Sequence, residues 1–379
     1  MTRIVVVGAG SIGSCVALRL ARRGADVVLV DAREPAEGLS AHGFGWVNAV
    51  DNGSDPYYRL SAESLRAHER LAAETADGAP WFFRHGNLHW ADSPEGARRL
   101  AAVADGYRAK GYPVEEVDAE RARRELQPGL ALDRLHGPLV HYPADAHVVA
   151  DRFVAAVQEH GRRAGVRLRI GSAVTGLLGG QPGGGRVRGV ELASGERIEA
   201  DTVVSCAGRG TRALLGRAGA DVPMVEPGDG SGVTVVGLLV RTTPLPVRVD
   251  RVLHAPHLSI RPHSGGRVVL HCHDVDEELT HVRQGPAAAE RVLARLAEVL
   301  PGTAGAGVAV EDAYVGVRPM PVDGMSVVGP VPGVESLYVV VTHSGLTLAP
   351  VLGEIVAQEL LDGPSPLAAA FRPERFAAV

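Results

Sequence analysis

The chain has almost no lysine: Lys110 stands alone among 39 basic residues. Acidic residues outnumber basic ones, 44 to 39, and the net charge of −5 argues against nucleic-acid binding, which calls for a basic surplus. Cysteine is scarce too. Cys15, Cys206 and Cys272 are odd in number, far apart and without a CxxC pair, which excludes a disulfide framework and fits a reducing compartment. No apolar stretch approaches the ~20 residues a bilayer-spanning helix requires. Met1-Thr2-Arg3 runs straight into a strand-like segment, without the length or cleavage pattern of a secretory signal. These absences predict a soluble cytoplasmic protein whose partners include neither nucleic acid nor membrane.

What is abundant is glycine, with 47 residues, well above the usual ~7% of a chain. That excess implies many tight turns and places where backbone approaches a ligand. A chain of 379 residues is long enough for two domains. Residues 3–31 read as strand, turn, helix, strand. Ile4 to Val7 is the β-branched run of a strand buried on both faces. Ile12, Val16 and Leu20 recur at helical spacing, and Ala25 to Val30 is a second buried strand. Helices are expected over 56–75, 94–110, 147–164, 286–300 and 347–361. Strands are expected at 81–83 and 87–90 as a hairpin, and at 166–170, 186–193, 197–204, 233–241, 257–262, 267–273 and 337–342. Gly179 to Gly185 reads as a hairpin tip.

Gly8-Ala9-Gly10-Ser11-Ile12-Gly13 lies between the first strand and the first helix. In that context the first glycine permits the turn, the second admits a pyrophosphate to the backbone, and the third lets helix and strand pack closely. The helix N-terminus adds positive potential for the phosphates. Asp31 ends the second strand about 20 residues on, where a carboxylate grips ribose hydroxyls and disfavours a 2′-phosphate. The motif predicts a dinucleotide and leaves FAD and NAD both open.

Near the C-terminus stand Gly316-Val317-Arg318-Pro319-Met320-Pro321-Val322-Asp323-Gly324 and then His343-Ser344-Gly345-Leu346-Thr347-Leu348-Ala349-Pro350. With the fingerprint and Val203-Val204-Ser205-Cys206-Ala207-Gly208, these segments resemble the D-amino acid oxidase, glycine oxidase and sarcosine oxidase family of FAD enzymes, glycine-oxidase-like members most. The resemblance covers essentially the whole chain. It implies an α/β fold in which a Rossmann-like FAD-binding domain (1–80, 140–215 and 312–379) interleaves with an antiparallel-sheet substrate-binding domain (81–139 and 216–311). It also implies FAD-dependent oxidation of the C–N bond of glycine, an N-substituted glycine or a D-amino acid. Hydride would pass to flavin N5, the resulting imine would hydrolyse, and O2 would be the acceptor. An FAD dehydrogenase with another acceptor, or a flavin-binding partner subunit, remain the alternatives.

The residues carried over for FAD are Gly8, Gly10, Ser11, Ile12, Gly13, Asp31, Ala32, Arg33, Ala41, His42, Gly43, Phe44, Val174, Cys206, Ala207, Gly208, Ser344, Gly345, Leu346 and Thr347. Arg318 and His343 are the expected catalytic residues, with Arg318 gripping the substrate carboxylate through its planar fork. Trp46 and Asn48 join it as substrate contacts. His42 lies where dimethylglycine- and sarcosine-dehydrogenase-like members bond a histidine to the flavin, although a non-covalent contact is the expectation. Two departures bear on the chemistry. Lys110 sits in a polar turn, unlike the lysine that sarcosine oxidases place near the flavin for oxygen. A histidine rather than a second arginine at 343 weighs against free glycine.

A separate lead comes from alternation on the hairpin at 257–273. His257, Ser259, Arg261 and His263 share one face, and His271 and His273 share a face of the partner strand. This face is expected either to line the pocket, with Arg261 and Ser259 binding a carboxylate, or to be solvated. His271-Cys272-His273-Asp274 is not expected to bind metal, because neighbouring strand residues point to opposite faces.

Overall fold

A computed structural model describes residues 1–34, 37–50, 54–181, 184–279, 281 and 284–376. The opening βαβ unit forms as expected: β1 (Arg3–Val7), α1 (Ser11–Arg22) and β2 (Asp26–Val30). β1 is the inner strand of a six-stranded sheet, pairing in parallel with β2 on one side and Thr202–Ser205 on the other. Leu337–Val341 and Arg167–Arg169 extend the sheet in parallel, and Val327–Pro330 closes one edge antiparallel. The strand is apolar throughout because both its faces are covered. Ile4 and Val6 pack on α1 and the final helix, Gly345–Leu361, whereas Val5 and Val7 pack with Val187, Val190 and Leu214 on the other face.

A second sheet of eight strands takes its members from residues 87–142 and 236–317, mostly antiparallel. Leu238, Val240, Leu258, Ile260 and Leu270 point to one face and bury it against the helix Gly285–Ala294. On the opposite face Phe44 and Trp46 lie over His254 and His271. No helix among the described residues is long and apolar enough to cross a membrane. Cys15, Cys206 and Cys272 are all buried free thiols.

Several expectations need correction. Phe82–Phe83 and Asn87–Ala91 are both strands, but they do not form a hairpin with each other. The first joins Ala146–Val148 in a small sheet, and the second pairs with His136–Tyr142 and Val252–Ala255 in the large one. Gly86, at φ 77°, lets the chain cross between the sheets. The stretch 197–204 is two strands in two sheets, Arg197–Glu199 and Thr202–Ser205. The segment from 147 begins as the strand Ala146–Val148 before the helix Ala150–Arg163. Val174–Gln181, rich in glycine, is a strand the pattern did not announce. Its hairpin with Gly184–Leu192 has Pro182 and Gly183 of the expected tip outside the described residues. Strand alternation also stops at His271, because His273 already begins the helix His273–Glu278.

Candidate active site

A cavity of about 900 Å³ lies between the C-terminal ends of the parallel strands and one end of the eight-stranded sheet. Its nucleotide end is built by the glycine fingerprint. Gly8 has φ 104°, and a Cβ there would sit 2.4 Å from the carbonyl oxygen of Cys206. Gly13 serves packing instead of lining the cavity: its Cβ would meet the Gly8 carbonyl oxygen at 1.8 Å. Gly8, Gly10, Ser11 and Ile12 all reach the wall. Gly10, at the N-cap of α1, has no side chain to cap the helix, and no acidic residue lies in its first turn, so the positive potential of the helix start is not neutralised. The Ser40 hydroxyl accepts the Ser11 N–H at 3.0 Å, and a side chain on Gly10 would collide with it at 2.8 Å. Asp31 accepts the N–H of Ala9 at 2.7 Å and of Arg33 at 2.9 Å, which fixes its carboxylate at the end of β2.

Ala32, Arg33, Val174, Cys206, Ala207 and Gly208 complete this end of the wall. Ala41 lies in the 3-10 turn Leu39–His42 that bounds it, and Gly43 and Phe44 follow on the wall. The His42 ring is stacked on Tyr314, centroids 3.9 Å apart and planes within 7°. A clear cradle for a dinucleotide is therefore present: glycines where side chains would clash, a helix start without an acidic neighbour in its first turn, and an oriented carboxylate.

The middle of the cavity faces the start of the final helix. Ser344, Gly345, Leu346 and Thr347 are on the wall, and the first-turn N–H groups have no partners within the helix. No side chain caps them and no acidic residue lies in that turn. Pro350 has no N–H, so the Leu346 carbonyl lacks its usual helical donor. His68 supplies one: its Nε2 lies 3.0 Å from that oxygen and 3.2 Å from the Thr347 oxygen. Ser64 donates to the same Thr347 carbonyl, and Thr347 Oγ1 donates to the Trp46 carbonyl at 2.9 Å. Burial holds His68 down to about 4, so it is a neutral donor. The Ser11 hydroxyl, donating to the Gly345 carbonyl at 3.2 Å, ties the two helix starts together.

The far end holds Arg318. Its Nη2 donates to the Thr234 carbonyl at 2.9 Å and lies 3.9 Å from Oδ2 of Asp276. Its Nε is buried and has no hydrogen-bond partner among the described residues. His343 is on the same wall, with Nε2 at 3.4 Å from Tyr57 Oη and Nδ1 at 3.1 Å from Ser344 Oγ. Burial, with the Arg318 charge adding to it, pushes His343 down to about 4 and keeps it neutral.

Other expected contacts are placed elsewhere. Trp46 lines the cavity but its N–H donates to Asp145 at 2.8 Å. Asn48 is buried away from the wall and accepts the Val50 N–H at 3.0 Å. Ser259 and Arg261 do share a face with His271, as alternation requires, yet neither lines the cavity. Around Ser259, Arg261 and His271 that face is covered, not solvated, because Phe44 and Trp46 lie over His254 and His271, whereas His257 is exposed. Arg261 is fully buried, pushed down to about 10 by that burial, and donates to the carbonyls of Phe44 and Pro262. Ser259 Oγ sits 2.8 Å from His254 Nδ1. Of this row only His271 reaches the wall, and Arg261 and Ser259, expected as substrate contacts, are placed behind it. Among the described residues no group of three or more His, Cys, Asp or Glu side chains is arranged to hold a metal.

Sequence reasoning missed Asp276, Tyr314 and Ser40 on the wall. Asp276 lies in a helix that follows the hairpin, and only the fold brings it to Arg318. A carboxylate two residues beyond Asp274, in a segment already marked by His271, was the available signal.

A family model described as DAO, FAD dependent oxidoreductase, matches residues 3–359. Glycine oxidase of Pseudomonas putida is 30% identical over 382 residues, covering 96% of each chain. A D-amino acid dehydrogenase of Cereibacter sphaeroides is 28% identical, covering 96% of this chain and 92% of its own. The crystal structure of glycine oxidase from Geobacillus kaustophilus superposes with a TM-score of 0.83 at 23% identity, covering 98% of both chains. The chain belongs to the DAO family of FAD-dependent oxidoreductases.

Proposed function

We propose that the enzyme oxidises the C–N bond of a small carboxylate-bearing amine, an N-substituted glycine or a D-amino acid before free glycine. The six-stranded sheet then forms the cofactor domain and the eight-stranded sheet the substrate domain. The observation that carries the reading is Arg318: a guanidinium on the cavity wall whose buried Nε has no partner among the described residues. A buried donor without an acceptor costs about 1–3 kcal/mol. A substrate carboxylate on the guanidinium's fork removes that cost and brings the α-carbon to a fixed position.

Bound in the cradle, FAD supplies the acceptor for the hydride of the substrate's α C–H bond. The residues of this chain hold and orient. Gly8, Gly10, Ser11 and Asp31 would hold the pyrophosphate and ribose, and the N–H groups of Gly345, Leu346 and Thr347 would lend positive potential to the bound flavin. The substrate leaves as an imine, which water hydrolyses to a carbonyl compound and an amine. His42 contributes packing through Tyr314, with the flavin held non-covalently. His343, neutral and bonded to Tyr57 and Ser344, shapes the wall beside Arg318.

Oxygen is the proposed acceptor. One observation favours the second reading, a dehydrogenase with a different acceptor: Lys110, the chain's only lysine, is paired with Asp55 at 2.9 Å and does not line the cavity. The test is turnover of N-methylglycine, glycine and D-alanine by the purified enzyme. One carbonyl product and one released amine should form per O2 consumed. Product formed only with an added dye would replace oxygen by another acceptor, and no carbonyl product under either condition would overturn the proposal.

A further inference from the structure

Oxidation of an amine by hydride loss requires the nitrogen lone pair, yet an amino acid at neutral pH arrives as an ammonium. Some group must take that proton. Arg318 gathers three other titratable groups on the cavity wall: Asp276 lies 3.9 Å from its Nη2, its charge acts on His343, and His271 bonds to Asp276. Arg318 is a fixed cation, and His343 has both ring nitrogens within 3.4 Å of hydroxyl partners, Tyr57 and Ser344. The remaining two form a pair.

Asp276 is wholly buried and its Oδ1 accepts the Leu238 N–H at 2.8 Å. Its Oδ2 lies 2.8 Å from Nε2 of His271. A carboxylate oxygen accepts, so in the neutral ring the hydrogen sits on Nε2 and the lone pair on Nδ1. Among the described residues no other hydrogen bond is made by this ring. Gly237 makes room for the arrangement: a Cβ there would stand 3.2 Å from Asp276 Oδ2. The ring itself is held by Phe44, with centroids 5.8 Å apart, and by His273 at 5.4 Å. Base, orienting carboxylate and open cavity thus stand in the relation expected of a positioned proton acceptor.

We propose that His271, oriented by Asp276, accepts the proton of the substrate ammonium. The N–H bond of the ammonium breaks with its electron pair left on nitrogen, and the proton forms a new N–H bond at Nδ1. The imidazolium that results faces Asp276 across its Nε2–H, which balances the new charge. His254, one strand beyond Ser259 in the same cross-strand row, His273 and Arg318 are the cations or potential cations that oppose it, and Asp276 is the anion that favours it. His271 would be a catalytic residue and Asp276 a positioning residue. The inference rests on the C–N oxidation reading.

The experiment is the pH dependence of anaerobic flavin reduction in the FAD-loaded enzyme, by whichever of N-methylglycine, glycine and D-alanine reduces it fastest. In His271→Asn the rate constant over Kd should fall at least about a hundredfold at pH 7, the lower end of the ~10²–10⁴-fold range of general base catalysis. The deficit should shrink to within about threefold at pH 10, where the free amine no longer needs a base. Asp276→Asn should show a smaller deficit with the same rescue. Acetate, a carboxylate without an amine, serves as a binding probe read from the flavin spectrum. Its affinity should be within twofold of wild type in His271→Asn, and tighter in Asp276→Asn, where Arg318 loses its neighbouring anion.

Curves displaced in parallel at all pH values, or acetate affinity lost together with rate in His271→Asn, overturn the inference and leave His271 a support for Arg318. If His271→Asn does not fold, the Asp276→Asn curve decides by the same criterion. A wild-type flavin that none of the three amines reduces overturns the C–N reading itself, a result distinguishable from parallel curves.

Discussion

Acidification from pH 7 to pH 5 should destabilise this protein before most of its carboxylates take up protons. The cause is a set of imidazoles whose burial opposes charge. His68, His89 and His343 are each held down to about 4, and His147 and His254 are also pushed well down. In the unfolded chain the same side chains titrate near 6.5. Between those values the unfolded state binds more protons, so this stability is complete above about pH 6.5 and is lost as pH falls toward 4. Each proton taken up by the unfolded state alone costs the fold about 1.4 kcal/mol per pH unit, so one such histidine forfeits about 2 kcal/mol at pH 5. Three give about 6 kcal/mol at full expression, and about 3 kcal/mol if relaxation and water entry halve the penalty. An unfolding entropy of about 2.1 cal/mol/K per residue over 379 residues converts this into a Tm fall of about 4–8 °C. Scanning calorimetry with excess FAD at pH 7, 6 and 5 reads it directly. His89→Gln, which removes one of the five lowered rings, should lessen the fall by about a fifth to a third. A Tm constant within a degree from pH 7 to 5, or a fall confined below pH 4, would refute the reasoning.

Three further outcomes follow from individual contacts. Gly8→Ala places a Cβ 2.4 Å from the Cys206 carbonyl oxygen at φ 104°. The protein should bind FAD at least tenfold more weakly in equilibrium dialysis, and its melting should fall by several degrees. Arg318→Lys keeps the charge and loses the planar fork. Acetate binding should weaken about tenfold or more, the equivalent of at least ~1.4 kcal/mol, while FAD content stays unchanged. Tyr112 donates to the fully buried Asp145, beside the Trp46 donor. Tyr112→Phe should cost about 1.5–3 kcal/mol in urea unfolding, the usual value for a hydrogen bond to a charged group.

The parts of the molecule legible in its sequence are those where local pattern and final environment agree. β1, α1 and β2 were plain because a strand covered on both faces is apolar without interruption, and because Gly8, Gly10 and Gly13 each answer a steric need. The start of the final helix was equally plain from His343 through Pro350, although the reason for Pro350's tolerance, the donor from His68, appears only in three dimensions. Pairing was harder to read. Phe82–Phe83 and Asn87–Ala91 looked like a hairpin because they are close in sequence, while their partners lie in different sheets. The hairpin at 258–271 shows the limit at the site. Alternation gives the correct face for Ser259, Arg261 and His271, but not what covers it. The segment from Phe44 to Trp46, distant in sequence, closes over that face and leaves only His271 at the cavity wall. Asp276 escaped notice because its meaning depends on Arg318 and His271 arriving beside it.

The most direct test of the account is a comparison of paired substrates by anaerobic mixing with the FAD-bound enzyme. D-alanine and N-methylglycine would be set against lactate and glycolate, which offer the same carboxylates with C–O in place of C–N. The account predicts that the flavin absorption bleaches with at least one of the amines and with neither hydroxy acid. Bleaching by a hydroxy acid alone, or a protein that neither contains nor binds FAD, would contradict it.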